Sequence, residues 1–168
     1  MDDRPVSIAI SACLQGEAVR YDGRHKQDAG LLAAFAPHVR WVPFCPEVLA
    51  GLGVPRPPIR IVTGAAGATV REVESGDDRT AALGGAIQQV LATLAAEDVR
   101  GVVCKARSPS CGVGDAETFD EDGRAVGVSD GVVVAAVRAA RPELPIASEA
   151  ELASPSAREA FLARVRAT

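Results

Sequence analysis

The chain has 168 residues, of which 48% are hydrophobic, and its 18 Lys and Arg against 22 Asp and Glu give a net charge of −4. The length predicts one domain over residues 1–168, and the acidic balance argues against an extended nucleic-acid surface. Because no stretch approaches the roughly 20 apolar residues of a membrane helix, and no secretory leader is evident, we expect a cytoplasmic protein without a membrane partner. Its four cysteines are then expected to be metal ligands, catalytic groups or buried hydrophobic residues rather than disulfides.

The first two predicted strands are each followed by a cysteine. Residues 5–10 are short and rich in β-branched side chains, which is typical of a strand, and Cys13 lies just beyond them. Residues 39–44 alternate enough to predict a second strand, and Cys45 follows it directly. Between the two strands a helix is predicted to begin at Asp28, a suitable N-cap.

A hairpin and a long helix are predicted next. Residues 59–62 and 68–73 are two short strands joined by a glycine turn, and they predict a β-hairpin at the periphery of the fold. Apolar side chains at spacings of three and four then predict the longest helix, which opens at Asp77 or Asp78 and continues to about Glu97.

The segment 105–112 interrupts the hydrophobic pattern. It follows the apolar residues 101–104, which predict a short buried strand, and it carries polar side chains where a core segment would carry hydrophobic ones. A proline and a glycine stiffen it. Ser108, Ser110 and Cys111 are therefore predicted to project from a rigid loop, and such loops often bind ligands.

The C-terminal part of the chain predicts two further helical segments. Residues 115–128 are rich in glycine and acidic residues and predict either irregular surface or another hairpin. Ser129 is expected to cap the next helix, and residues 144–147 are a candidate last strand. Residues 149–167 predict helix, with a break near Pro155.

Strands that alternate with helices predict a single α/β domain, with a mostly parallel sheet flanked by helices (Rossmann-like) and a peripheral β-hairpin. Its core is expected over about residues 6–148, followed by a helical segment over 149–168. Ligands of such sheets bind beyond the carboxyl ends of the strands. Because Cys13, Cys45 and Cys111 all lie in loops that leave such ends, we expect the three thiols to converge.

Three converging thiols allow several kinds of site. A four-iron four-sulfur cluster is normally held by four thiolates, so three would leave one iron open as a Lewis acid. Three thiolates and a water would also suit a tetrahedral zinc ion. The spacing contains no Cys-x-x-Cys pair, and by itself it leaves equally open that these are three ordinary loop or core cysteines.

The side chains next to the three cysteines favour a catalytic or metal-binding role for them over a role in core packing. Glu47 lies two residues after Cys45, where its carboxylate could move protons near a bound metal, although a carboxylate in the first turn of a helix also stabilises the helix dipole. Ser108 precedes Cys111 by three residues and offers a hydroxyl, although serines in a turn also satisfy the local backbone. The combination with three cysteines predicts an active site.

These residues form three motifs that closely resemble a known family. The first motif is Ser-Ala-Cys-Leu-Gln-Gly at 11–16, followed by Val-Arg-Tyr-Asp-Gly at 19–23. The second motif is Cys-Pro-Glu-Val at 45–48, with Gly-Leu-Gly-Val-Pro-Arg-Pro at 51–57. The third motif is Lys-Ala-Arg-Ser-Pro-Ser-Cys-Gly at 105–112. In this order they resemble the family catalogued as domain of unknown function 523, whose members are known as thiouracil desulfidases.

The resemblance implies a [4Fe-4S] cluster held by Cys13, Cys45 and Cys111, with Glu47 and Ser108 in the positions of the family's catalytic residues. It implies conversion of the thiocarbonyl of a thiolated pyrimidine base or nucleotide to a carbonyl, with release of sulfide and without net oxidation or reduction. The sulfide acceptor is not evident from the sequence. The fourth cysteine, at position 104 of the predicted buried strand, is expected to be a packing residue.

Six further residues beside the motifs are candidates for substrate binding. The basic ones could hold a nucleotide phosphate or balance an anionic cluster, or simply be exposed charges, and the aromatic one could stack on a base. The candidates are Ser11, Tyr21, Arg56, Lys105, Arg107 and Ser110. Two other functions remain open at this point, namely a cluster-based sulfur carrier and a non-catalytic redox or metal-sensing module.

Overall fold

Two four-stranded sheets organise the protein, whose structure is a computed structural model that describes residues 4–168. The strands of this region are β1 Val6–Ser11, β2 Val39–Phe44, β3 Ile59–Gly64, β4 Gly67–Glu72, β5 Val99–Cys104, β6 Ala116–Phe119, β7 Ala125–Ser129 and β8 Ile146–Ser148. The helices are α1 Ala29–Phe35, α2 Pro46–Leu49, α3 Thr80–Ala96, α4 Val132–Ala140 and α5 Pro155–Ala167, and a 3-10 helix spans Ala12–Gln15.

The central sheet is parallel throughout and has the strand order β2-β1-β5-β8. Strand β1 is buried on both faces. Ile8 and Ile10 pack among residues of α1 and α5, whereas Ala9, which points to the other face, packs among residues of α3 and α4. A sheet covered by helices on both faces explains why its strands are almost continuously apolar. The structure therefore confirms the predicted α/β class.

The second sheet is larger than the predicted hairpin. Strands β3 and β4 do form an antiparallel hairpin, but β3 also pairs in parallel with β6, and β6 pairs antiparallel with β7, in the order β4-β3-β6-β7. The region 115–128, for which irregular surface and a hairpin were both open, is thus a hairpin. The hairpin is part of a mixed sheet because β6 supplies the partner for the free edge of β3.

Three predictions about helix ends were wrong. The longest helix, α3, begins at Thr80 with Arg79 at its N-cap position rather than at Asp77 or Asp78. Ser129 does not cap α4: it ends β7, its hydroxyl donates to the carbonyl of Asp130, and the N-cap position is occupied by Gly131 without a side-chain cap. Residues 149–152 are turns rather than helix, and α5 begins only at Pro155, where Ser154 caps it. By contrast, the Asp28 cap of α1 is confirmed, since its carboxylate accepts from the Leu31 N–H at 2.9 Å.

No helix within residues 4–168 is both long enough and apolar enough to cross a membrane.

An ion pair at the end of the second sheet makes a testable contribution to stability. The Glu72 side chain, 10% exposed, accepts from Ser75 Oγ at 2.7 Å and from Arg79 Nε at 2.8 Å. The Ser75 hydrogen bond and then the Arg79 guanidinium hold the pKa of Glu72 below its usual value. Its contribution to stability is therefore present above the pKa of the unfolded state, about 4.3, and is lost as the pH falls through the lower folded-state pKa.

We expect Glu72→Gln to lower Tm at pH 7 and to differ progressively less from the wild type below about pH 4, because the wild-type carboxylate is then being protonated. Thermal unfolding followed by circular dichroism from pH 7 to pH 2.5 measures the difference. Glu74→Gln, on the exposed turn that follows, is the matched control. A deficit that stays constant down to the lowest pH would show that the substitution disturbs packing rather than charge.

Candidate functional site

A cavity of about 350 Å³ opens where the loops after β1, β2 and β5 meet. This is the position at which parallel α/β sheets bind ligands, and the volume lies within the range of small-molecule sites. The structure brings residues of all three sequence motifs to its walls. The candidates that line the cavity are Ser11, Cys13, Tyr21, Cys45, Glu47, Arg56, Lys105, Arg107, Ser108, Ser110 and Cys111.

Each of the three thiols is placed by a different loop. Cys13 lies in the 3-10 helix after β1, and its carbonyl accepts from the Lys26 N–H at 2.9 Å. Cys45 is the N-cap of α2 and directly follows β2. Cys111 lies beyond β5, with its N–H donated to Ser108 Oγ at 3.1 Å. The backbone at each cysteine is therefore held by hydrogen bonds or by the end of a strand.

The three thiols lie close enough to affect one another electrostatically. Burial, and after it the neighbouring Cys111 thiol, raise the pKa of Cys13 to about 11, while Arg20 opposes the shift. Burial also raises the pKa of Cys45, with Cys111 again contributing and Arg56 opposing. Cys111 is thus near both other thiols, and the two arginines supply positive charge to a set of groups that must be deprotonated to bind metal.

The fourth thiol does not line the cavity, but it contacts one that does. Cys104 ends β5, is 1% exposed, and packs in the core with residues such as Val42 and Val133, without lining the cavity. A hydrogen bond with the Cys111 thiol, together with burial, raises the pKa of Cys104 well above its usual value. Its environment is that of a buried packing residue, as expected from the sequence.

The Glu47 carboxylate is held at both of its oxygens. Arg56 Nε donates to Oε1 at 3.1 Å, and Ser110 Oγ donates to Oε2 at 3.0 Å. Pro46 at the first position of α2 and the N-cap Cys45 fix the backbone on which Glu47 is carried. One carboxylate oxygen therefore faces a guanidinium and the other faces the loop that carries Ser108.

The hydroxyl of Ser108 continues this network. Its Oγ accepts from the Cys111 N–H at 3.1 Å and from the Ser110 N–H at 3.3 Å, and it lies 3.1 Å from Ser110 Oγ. Because Ser110 donates its own proton to Glu47, the proton of Ser108 has Ser110 Oγ as its acceptor. A directed chain of hydrogen bonds thus runs from Ser108 through Ser110 to Glu47.

Two candidate substrate-binding residues have structural partners that the sequence did not indicate. Lys105 forms an ion pair with Glu149, whose other oxygen accepts from the Ala106 N–H at 2.6 Å. Ser11 Oγ accepts from the Lys105 N–H at 3.0 Å. Both side chains line the cavity, but these contacts tie the start of the third motif to the end of β1 and to the turn after β8.

Sequence reasoning missed two basic residues that line the cavity, Arg20 and Lys26. The Arg20 guanidinium lies 5.6 Å from the centre of the Tyr21 ring, and its buried Nε forms an ion pair with Asp22 Oδ1 at 3.7 Å. Arg20 could have been found, because it stands inside the quoted motif at 19–23. Lys26 has no such signal, since it lies in a loop outside the motifs.

The sequence matches the profile of the 2-thiouracil desulfurase family over residues 8–149. This chain belongs to that family. Other members of the 2-thiouracil desulfurase family are therefore the appropriate comparison for the cavity and its thiols.

Two similar proteins extend this assignment. YbbK of Bacillus subtilis (strain 168), described as an uncharacterized protein, is 31% identical over 112 residues, which make up 64% of this chain and 74% of YbbK. A solved structure of the [4Fe-4S]-dependent thiouracil desulfidase TudS (DUF523Vcz) is 31% identical and has a TM-score of 0.71, covering 93% of this chain and 97% of the other. Membership of the 2-thiouracil desulfurase family and this likeness support an enzyme that acts on carbon–sulfur bonds.

The donors of this 2-thiouracil desulfurase family member fit a multi-iron cluster. Within residues 4–168, no three His, Cys, Asp or Glu side chains are grouped so as to hold one metal ion. A tetrahedral zinc ion needs each sulfur about 2.3 Å from the same centre, whereas the thiolates of a four-iron cluster bind different irons and can lie further apart. Three soft donors around one cavity can hold such a cluster.

Proposed function

We propose that this protein is a [4Fe-4S]-dependent desulfidase that converts the thiocarbonyl of a thiolated pyrimidine to a carbonyl and releases sulfide. The observation that carries the proposal is the convergence of Cys13, Cys45 and Cys111 on one cavity with the hydrogen-bonded carboxylate of Glu47. Its family membership and its likeness to a thiouracil desulfidase support the same reaction. A [4Fe-4S] cluster held by three thiolates supplies an open iron, which acts as a Lewis acid toward sulfur.

The overall reaction exchanges one sulfur for one oxygen. Water forms the new bond to the ring carbon, the carbon–sulfur bond breaks, and both protons of the water end on the departing sulfide or on the solvent. No oxidant or reductant is needed, because carbon, sulfur and oxygen keep their oxidation states. The protein must therefore supply a group that takes a proton from water and returns it.

Glu47 is that group in our proposal. Its Oε2 is the end of the hydrogen-bond chain from Ser108 and Ser110, so a proton released near Ser108 can reach the carboxylate through two hydroxyls. Ser108 is kept at the wall of the cavity by the two backbone N–H groups that bind its oxygen. It can therefore orient the substrate or the attacking water while it passes the proton on.

The charges around the cavity favour a nucleotide as the substrate. Lys26 and Arg107 line the cavity and form no salt bridge with any of the described residues, whereas Arg20, which also lines it, is paired with Asp22 at 3.7 Å. Arginine and lysine groups of this kind suit a phosphate. Tyr21, 43% exposed beside them, offers a face on which a base or ribose can stack.

The proposal is tested by turnover after anaerobic reconstitution with iron and sulfide. We expect repeated conversion of thiouracil to uracil with one sulfide released per uracil, and a higher kcat/KM for the thiolated nucleoside monophosphate. Uracil is measured by chromatography, sulfide by a colorimetric assay, and the cluster by visible absorption and iron content. A single equivalent of uracil per cluster would instead indicate the sulfur carrier, and no uracil at all would indicate a sensing module.

We expect Glu47→Gln to lower kcat by about 10²- to 10⁴-fold, the usual contribution of a general base, while the iron content and visible spectrum stay unchanged. Glu72→Gln is the matched control, because Glu72 is also held by one arginine and one serine but lies away from the cavity. It should lower stability and leave kcat intact. Full turnover by Glu47→Gln would remove Glu47 from the mechanism.

A further inference from the structure

Arg56 is more buried and more fully hydrogen-bonded to the protein than we expect of a residue that binds substrate. Its side chain is only 3% exposed, and its Nε and Nη1 are committed to Glu47 Oε1 at 3.1 Å and to the Gly53 carbonyl at 2.9 Å. Its backbone N–H donates to the Tyr21 carbonyl at 2.9 Å. Three contacts thus fix both ends of the residue, so the guanidinium is anchored to the protein before any substrate enters.

The carboxylate that Arg56 holds is not fixed by its own helix. Glu47 lies in the first turn of α2, and the side-chain hydrogen bonds of its carboxylate come from Arg56 and Ser110, which lie outside that helix. With Oε1 held by Arg56, Oε2 is directed to Ser110 at 3.0 Å. Removing the guanidinium would release the carboxylate and break the alignment of the chain that reaches Ser108.

We propose that Arg56 is a positioning residue that orients the Glu47 carboxylate for proton transfer and does not bind the substrate. This inference rests on the proposed function, because it concerns the group proposed there as the general base. It replaces the nucleotide-phosphate role that the sequence suggested for Arg56. That role passes to Lys26 and Arg107, which line the same cavity and form no salt bridge with any of the described residues.

The main test compares kinetic constants of Arg56→Gln with those of the wild type, using the thiolated nucleoside monophosphate. We expect kcat to fall about 100-fold, the size of effect that a 1 Å misplacement produces, with KM changed by less than about threefold and with unchanged iron content. Arg56→Lys should recover only part of the loss, since an ammonium cannot donate to Glu47 and Gly53 in the same planar geometry.

Chemical rescue separates positioning from a general loss of stability. Added methylguanidinium should restore part of kcat in Arg56→Ala and should not affect the wild type. The matched control is Arg79→Gln, which breaks another part-buried Arg–Glu pair, that of Arg79 with Glu72, outside the cavity. It should lower Tm without changing kcat or responding to methylguanidinium.

The possible outcomes distinguish this inference from the proposed function. A raised KM with intact kcat in Arg56→Gln would assign Arg56 to substrate binding, and lost iron would assign it to the cluster; either overturns the inference alone. A wild type that produces no uracil would overturn the proposed function. In that case a crystal structure of Arg56→Gln still decides the inference: Glu47 Oε2 is expected to leave Ser110, and a retained contact would refute positioning by Arg56.

Discussion

Cys111→Ala is expected to abolish cluster binding, with the iron content after anaerobic reconstitution falling roughly tenfold or more. Cys111 lines the cavity together with Cys13 and Cys45, so it is one of the three thiols proposed to hold the cluster. The proposed cluster has three thiolate ligands instead of the usual four, so we expect that the two left in Cys111→Ala do not hold it. Cys111→Ser, which keeps the shape of the side chain, should fail equally, because the loss is one of ligand chemistry rather than packing.

Cys104→Ala is the matched control for this loss. Cys104 is as buried as Cys111 and belongs to the same packed cluster, but it does not line the cavity. We therefore expect retained iron and turnover, together with a destabilisation of about 1–2 kcal/mol from the small cavity left behind. Iron analysis and thermal unfolding of both variants measure the two effects. Loss of iron from Cys104→Ala with retention in Cys111→Ala would reverse the two assignments.

The main features of the site could be predicted because they depend on local patterns. Strands followed by Cys13, Cys45 and the segment 105–112 are visible in the sequence, and parallel topology brings such strand ends together at one edge. The buried strands read as apolar runs because helices cover both faces of the central sheet. Neither the prediction of the strands nor the prediction that their ends meet required knowing which residues distant in sequence contact each other.

The remaining features depend on partners that are distant in sequence. Glu149 lies 44 residues from Lys105, and no pattern around either residue indicates that they pair. The same holds for the pairing of β3 with β6, which turns a hairpin into half of a sheet. The Ser129 cap was predicted from residue type alone, but the preceding strand β7 continues through Ser129 and the helix begins later. In each of these places the observed structure depends on tertiary contacts rather than on the conformational propensity of the local sequence.

Gly131→Ala is expected to have the second large effect, through the backbone of the third motif. Gly131 is the N-cap of α4 and donates its N–H to the Gly112 carbonyl at 2.8 Å. A Cβ at this position would lie 2.5 Å from the carbonyl carbon of Ser110 and 2.6 Å from the nitrogen of Cys111. Since these are backbone atoms, no side-chain rotation relieves the overlap. The backbone φ of −59° is open to any residue, so the requirement for glycine is one of space.

The strain of Gly131→Ala falls on the loop that carries Ser110 and Cys111, because the first turn of α4 is hydrogen-bonded to that loop. We expect a destabilisation of about 1–3 kcal/mol, as for other overpacked sites, together with lowered iron content and lowered kcat. Gly85→Ala is the matched control: a Cβ there meets no atom within 4 Å, and alanine in a helix interior should stabilise by about 0.5–1 kcal/mol. Wild-type iron content and kcat in Gly131→Ala would mean that α4 does not set the position of Cys111. The loop that carries Ser110 and Cys111 would then adjust without loss of function.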